Sequence, residues 1–160
     1  MISFELITGS GKKKGDETRW YVVGGYSPPS DTEGEARRLI DVALDAAPKG
    51  SKTMVIGDLN ANLEDPQNGR DEVLSAGMRE RGLGCATRHF LTRRRRYVRG
   101  RWTYKKRCES GRGEVRWTYT KPDYFLVRKE DRRSFKRCRF ITPPNRGSDH
   151  RVIVLRLQLE

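Results

Sequence analysis

Three short stretches hold side chains able to do acid–base or phosphate chemistry. In Gly57-Asp58-Leu59-Asn60, a carboxylate and an amide stand two residues apart, directly after the apolar run Met54-Val55-Ile56. Such a pair can divide the chemistry, with one group accepting a proton or binding a cation while the other donates hydrogen bonds to an oxyanion. Taken alone, it also reads as the simple start of a turn. In Gly147-Ser148-Asp149-His150, a second carboxylate sits beside one of the chain's two histidines, the other being His89. That pair offers a cation ligand and an imidazole for acid–base work. Asp123 opens the apolar run Asp123-Tyr-Phe-Leu-Val127 and could hold an imidazole in place, as carboxylates do for catalytic histidines.

The surrounding elements must bring these residues together. Ile2 to Thr8 alternates apolar and polar residues and predicts a half-buried strand, with Gly9 to Asp16 as a polar hairpin loop and Trp20 to Tyr26 as the returning strand. Ser30 and Glu33 have the form of a capping box. Ala36, Leu39, Ile40, Ala43, Leu44 and Ala47 then recur at helical spacing, predicting an amphipathic helix. Pro48 to Ser51 closes it and the strand around Met54–Ile56 follows, a strand–helix–strand unit. Asn62 to Arg70 reads as a loop. Asp71 to Arg81 predicts a second helix, with Val73, Leu74 and Met78 inward and Gly82 at its C-terminal cap. Arg101-Trp-Thr-Tyr104 recurs as Arg116-Trp-Thr-Tyr119, which predicts a hairpin. Strands are expected at Asp123–Val127, Phe135–Ile141 and Arg151–Leu159. The last is apolar almost throughout, which predicts a central, buried position.

The 160 residues suit one domain, 34% hydrophobic and 34% charged, with net charge +13. The charge is segregated: residues 1–80 carry 10 Lys and Arg against 14 Asp and Glu, whereas residues 81–160 carry 24 against 7. Asymmetry of this size predicts a polyanionic partner, most simply nucleic acid. Neither an amphipathic basic helix nor a transmembrane-length run is present, so no membrane partner is expected. Cys85, Cys108 and Cys138 match no zinc spacing and read as reduced thiols of an intracellular protein.

Taken in order, Val22-Val-Gly-Gly-Tyr-Ser-Pro28, Gly57-Asp-Leu-Asn60, Trp102-Thr-Tyr104, Pro122-Asp-Tyr-Phe-Leu126 and Ser148-Asp-His150 resemble the endonuclease/exonuclease/phosphatase superfamily. Within it, the likeness is to the apurinic-type endonuclease domains of non-LTR retrotransposons. The resemblance implies an α/β fold, part of a DNase I-like two-sheet sandwich, comprising mainly the second sheet with flanking helices. It implies that Asp58 orients or deprotonates the attacking water and Asn60 stabilises the phosphorane-like transition state. His150, positioned by Asp123, would contact the scissile phosphate, and Tyr26 would hydrogen-bond a phosphate oxygen. Asp149 would belong to a Mg²⁺ or Mn²⁺ site, and Trp102 would form a wall of the substrate site. The implied reaction is hydrolysis of a DNA phosphodiester by in-line attack.

The same resemblance leads one to expect an earlier half of the fold that supplies an Asn and a metal-binding Glu, whereas only residues 1–19 precede Trp20. Glu5 lies in no matching motif. The expectation is therefore one N-terminally truncated domain over residues 1–160, with an incomplete metal site and impaired activity. The inner sheet face, with Val22, Ile56, Phe125, Val152 and Val154 as candidates, would lack its cover and favour a missing half or self-association. No acidic residue occurs from Arg81 to Cys108. There Arg93, Arg94, Arg95, Arg96, Arg99, Lys105 and Lys106, interleaved with Tyr97, Trp102 and Tyr104, suit backbone contacts plus base stacking on DNA. The solvated alternative is a basic hairpin arm with core aromatics. Arg93 to Arg96 also fit a nuclear-localisation segment. Two other functions stay open: a non-catalytic nucleic-acid-binding remnant, and a phosphatase of the same superfamily, against which the extended basic track argues.

Overall fold

The computed structural model describes residues 1–8, 17–30, 33–87, 102–109, 111, 114–142 and 148–158. The expected hairpin loop at Gly9 to Asp16 lies outside these residues, and the Ser30–Glu33 cap spans residues that fall partly outside them. The elements in order are β1 (Ile2–Thr8), β2 (Thr18–Tyr26), α1 (Glu33–Asp45), β3 (Lys52–Asp58), α2 (Gly69–Glu80), β4 (Leu83–Cys85), β5 (Tyr104–Glu109), β6 (Val115–Thr120), β7 (Asp123–Arg128), β8 (Phe135–Ile141) and β9 (Val152–Leu157), with a 3-10 turn at Glu130–Ser134.

Five strands form the main sheet in the order β1-β2-β3-β7-β4. β1 and β2 are antiparallel, and β2 and β3 are parallel, joined through α1. β7 runs antiparallel to both β3 and β4. Successive strand residues face opposite sides, so Val23, Val55 and Leu126 meet α1 and α2 through Ile40, Ala43, Leu44 and Leu74. Their neighbours Val22, Met54 and Val127 pack on the other face with Trp20 and Phe135. Coverage on both faces explains why the strand runs are continuously apolar rather than alternating.

α2 starts two residues earlier than the apolar pattern predicts. The Asn68 side chain accepts a hydrogen bond from the Asp71 N–H, which makes Asn68 the N-cap. Gly82, at φ 66°, closes the helix in the left-handed conformation that a Cβ disfavours. All three cysteines are free thiols. Burial pushes the Cys138 thiol up to about 11.

Two expectations change. β9 is not central: among the described residues it pairs only with β8, as a separate two-stranded ribbon. Its side chains alternate, with Leu155 and Leu157 packed against the Trp20–Phe135 cluster while Val152 and Val154 are 50% and 41% exposed. An apolar run does not say which side will be covered, and here packing covers one. The sheet face expected to be bare is therefore covered in part, with Val152 and Val154 left exposed. Val22 is 3% exposed, and Ile56 and Phe125 pack into the same cluster beneath the ribbon.

Candidate active site

Three neighbouring strands bring their chemically able residues to one rim. The register pairs Tyr26 with Asp58, and Asp58 with Asp123. One step back, Gly25 pairs with Gly57, and a Cβ on Gly57 would lie 1.8 Å from the Gly25 carbonyl oxygen. The two strands therefore approach closely just where their functional ends emerge, and only glycine permits it. Beyond the rim the exits are stitched together. Ser27 N–H donates to the Asp58 carbonyl at 2.9 Å, and Leu59 N–H donates to the Pro122 carbonyl at 2.8 Å.

Asn60 locks the Asp58 carboxylate. Its backbone N–H donates to Asp58 Oδ1 at 2.9 Å, and its Nδ2 donates to the Ser27 carbonyl at 3.0 Å. Asn60 has φ 45°, a left-handed conformation that asparagine tolerates better than most residues. Arg70, in the first turn of α2, clamps the same loops. Its guanidinium donates to the Pro28 carbonyl at 2.7 Å, to the Leu59 carbonyl at 3.0 Å and to the Ser27 hydroxyl.

His150 enters from the far side. Its Nδ1 lies 3.1 Å from Asp123 Oδ2, its Nε2 4.0 Å from Asp58 Oδ2, and its ring tilts against Tyr104 at 4.8 Å between centroids. The loop carrying it is held by backbone bonds: Lys105 N–H donates to the Asp149 carbonyl at 3.0 Å and Arg151 N–H to the Thr103 carbonyl at 2.7 Å. Thr103 is fully buried, and its hydroxyl accepts the Asp123 N–H at 3.3 Å. One threonine thus anchors both the histidine loop and the strand that orients the imidazole.

Burial raises the Asp58 carboxyl above its ordinary value and the nearby Asp123 charge adds to this, while the Asn60 N–H, His150 and Arg70 oppose it. Donor atoms of Asp58, Asp123 and His150 all lie within 4.8 Å of one another. Two carboxylates and an imidazole at such spacing fit a divalent cation. Asp149, the residue expected at the metal, is exposed and stands outside this cluster.

The remaining expected residues are distributed as follows. Tyr26 is 61% exposed at the rim. Trp102 is half-buried, with the Tyr119 ring at 5.2 Å on one side and the Arg151 guanidinium at 4.8 Å. Lys105 and Lys106 lie on β5, Lys106 exposed. Arg93, Arg94, Arg95, Arg96 and Arg99 lie outside the described residues. A cleft of about 1080 Å³ opens beside the rim, between the Asn60–Asp71 loop and the aromatic side chains of Trp102, Tyr104 and Tyr119. Sequence reasoning missed Arg70, which carries no local signal. It noticed Thr103 only as a member of a motif and Tyr104 only as a ring of the basic arm, although their place between Trp102 and a basic strand was the available clue.

No sequence model of a known family matches the chain, and no curated protein matches it by sequence. Solved structures do match. The endonuclease domain of TRAS1, a telomere-specific non-LTR retrotransposon, superposes with a TM-score of 0.61 at 16% identity, over 93% of this chain and 61% of that domain. An AP endonuclease from Archaeoglobus fulgidus gives 0.65 at 14% identity, over 97% of this chain and 79% of that one. The catalytic domain of APE2 from Xenopus laevis gives 0.63 at 17% identity, over 97% and 54%. The chain therefore spans between about half and four-fifths of these relatives. What it shares with them is architecture, and the chain has the DNase I-like α/β fold of the endonuclease/exonuclease/phosphatase superfamily.

Proposed function

We propose that this chain carries the catalytic rim of a metal-dependent phosphodiesterase that cuts DNA. The observation behind the reading is the convergence of Asp58, Asp123 and His150 at one end of the sheet, their donor atoms within 4.8 Å of one another. A carboxylate held by a backbone N–H, an imidazole held by a second carboxylate and an amide two residues after the first carboxylate match the needs of in-line hydrolysis. Asp58 takes a proton from the attacking water as the new O–P bond forms and the P–O ester bond in line with it breaks, the departing alkoxide oxygen taking a proton from solvent. Asn60 and His150 donate hydrogen bonds to the phosphate oxygens as charge builds on them. Asp123 keeps the imidazole oriented, and Tyr26 contacts a phosphate oxygen from the exposed side. Mg²⁺ or Mn²⁺, held by the carboxylates of this rim, with Asp149 as a further candidate, would offset charge on the phosphate and the leaving oxygen.

DNA as substrate is supported by the basic C-terminal half and by the relatives, whose names describe endonucleases. Among the described residues no helix is long and apolar enough to cross a membrane. A DNA substrate and the arginines at 93–96 fit action in the nucleus. Residues 1–160 act in this reading as one portion of a larger sandwich. A second reading, nucleic-acid binding without cleavage, is favoured by the exposed β5–β6 hairpin, whose cations and rings need no catalytic group.

Incubation with supercoiled plasmid and Mg²⁺ separates the two. The catalytic reading expects nicking by the wild-type chain that EDTA abolishes and that Asp58→Ala reduces at least about 100-fold. No nicking by the wild type, or equal nicking by both proteins, would overturn it.

A further inference from the structure

The repeat Arg116-Trp-Thr-Tyr119 marks the second strand of the hairpin, and the sequence assigns its rings to neither a core nor a surface. In the structure all six residues of β6 are exposed, with Trp117 at 46% and Tyr119 at 54%. These two rings are separated by one residue on a strand, so they project from the same face about 7 Å apart. The register sets Arg107 opposite Trp117 and Lys105 opposite Tyr119, which places two cations on that same face. Lys105 Nζ lies over the Trp117 ring at 5.2 Å.

The face continues into the cleft. Tyr119 contacts Trp102 at 5.2 Å, and both line the groove together with Tyr104, whose ring rests against His150 at 4.8 Å. The Trp117–Tyr119 face thus reaches the groove through Tyr119 and Trp102, while Tyr104, opposite Thr120 and so on the other face of the hairpin, enters the same groove beside His150.

We infer that the Trp117–Tyr119 face of the hairpin is a stacking platform for unpaired nucleic-acid bases, so that the strand presented to the rim is single-stranded where it crosses the hairpin. Flat rings at alternate positions of a strand are how sheet-borne modules hold unpaired bases, and stacking tolerates any base. A duplex keeps its base faces covered and would engage the cations alone. Charge favours nucleic acid over a protein partner: Lys105 and Arg107 share the rings' face, Lys106 and Arg116 lie on the other face of the same hairpin, and Glu109, 3.9 Å from Arg107, lies at the turn end of the strands. The inference deepens the proposed function by naming the form of the substrate, and rests on that reading for its place beside the reaction.

The deciding experiment measures binding without cleavage. Fluorescence anisotropy in EDTA compares a labelled single-stranded oligonucleotide with its duplex, using the full chain and its Trp117→Ala, Trp117→Phe and Tyr119→Ala variants. Each alanine variant is expected to bind the single strand about 10-fold or more weakly, with Trp117→Phe recovering most of the loss and duplex binding moving less than about 3-fold. Single-strand binding that is absent from the wild type, unchanged in the alanine variants, or reduced in step with duplex binding would overturn the platform. Because no cleavage is needed, failure of plasmid nicking would leave this result standing on its own.

Discussion

At the scale of single residues, Asp58 carries an internal conflict. Burial and the Asp123 charge raise its carboxyl above the ordinary aspartate value, against the Asn60 N–H, His150 and Arg70. The folded state therefore holds this proton more tightly than the unfolded chain does. The linked stabilisation is fully present below the unfolded pKa, near 4, and is lost as pH rises through the higher folded value. At neutral pH the ionised carboxylate is a net cost in the absence of metal. Asp58→Asn is accordingly expected to raise the melting temperature in EDTA at pH 7, with the gain shrinking toward pH 4, while nicking is lost. Thermal melts from pH 4 to pH 8 check it, and a gain that grows toward acid would contradict the assignment. Asn60 combines several tasks in the same small space: one residue supplies a backbone donor to Asp58, an amide donor to the Ser27 carbonyl and the turn itself.

At the scale of elements, the rim depends on how closely β2 and β3 approach. Gly57→Ala would drive a methyl into the Gly25 carbonyl, 1.8 Å from the new carbon. Backbone, not a flexible side chain, stands in the way, so the strands must part. The expected loss is more than about 2 kcal/mol in denaturant unfolding, with nicking impaired even in the fraction that folds. An alanine variant of wild-type stability would show that the strands have more room than this register allows. The two strand-end motifs were legible because they combine a short apolar run with glycine and a polar turn. Arg70 was not, since an arginine that gathers carbonyls from two distant loops looks in sequence like any surface cation.

At the scale of the whole molecule, charge and architecture divide the work. The acidic half, residues 1–80, supplies β1 to β3 and both helices, whereas the basic half, residues 81–160, supplies the hairpin, β7 and the ribbon. On the proposed reading, binding of a nucleic-acid strand through the hairpin cations would release counterions. Affinity is expected to fall on the order of 10–100-fold between about 50 and 200 mM salt, given roughly four phosphate contacts. An affinity independent of salt, measured by the same anisotropy titration, would remove the electrostatic basis for a nucleic-acid partner.

Local pattern was enough to mark the helices, most strands and the candidates Asp58, Asn60, Asp123 and His150, because periodicity and turn chemistry act over a few neighbouring residues, whereas Tyr26 stood out only through the family resemblance. Which face of an element is covered depends on what arrives from far along the chain. Tertiary structure therefore decided that β9 joins β8 in a ribbon over Trp20 and Val22 rather than entering the main sheet. It also decided that Trp102 is wedged between Tyr119 and Arg151 while Trp117 stands open to solvent. The stretch Gly57-Asp-Leu-Asn60 reads as a turn in isolation. It becomes a candidate site only when the register sets Tyr26 and Asp123 on either side of it and a loop almost a hundred residues later lowers His150 over the carboxylates.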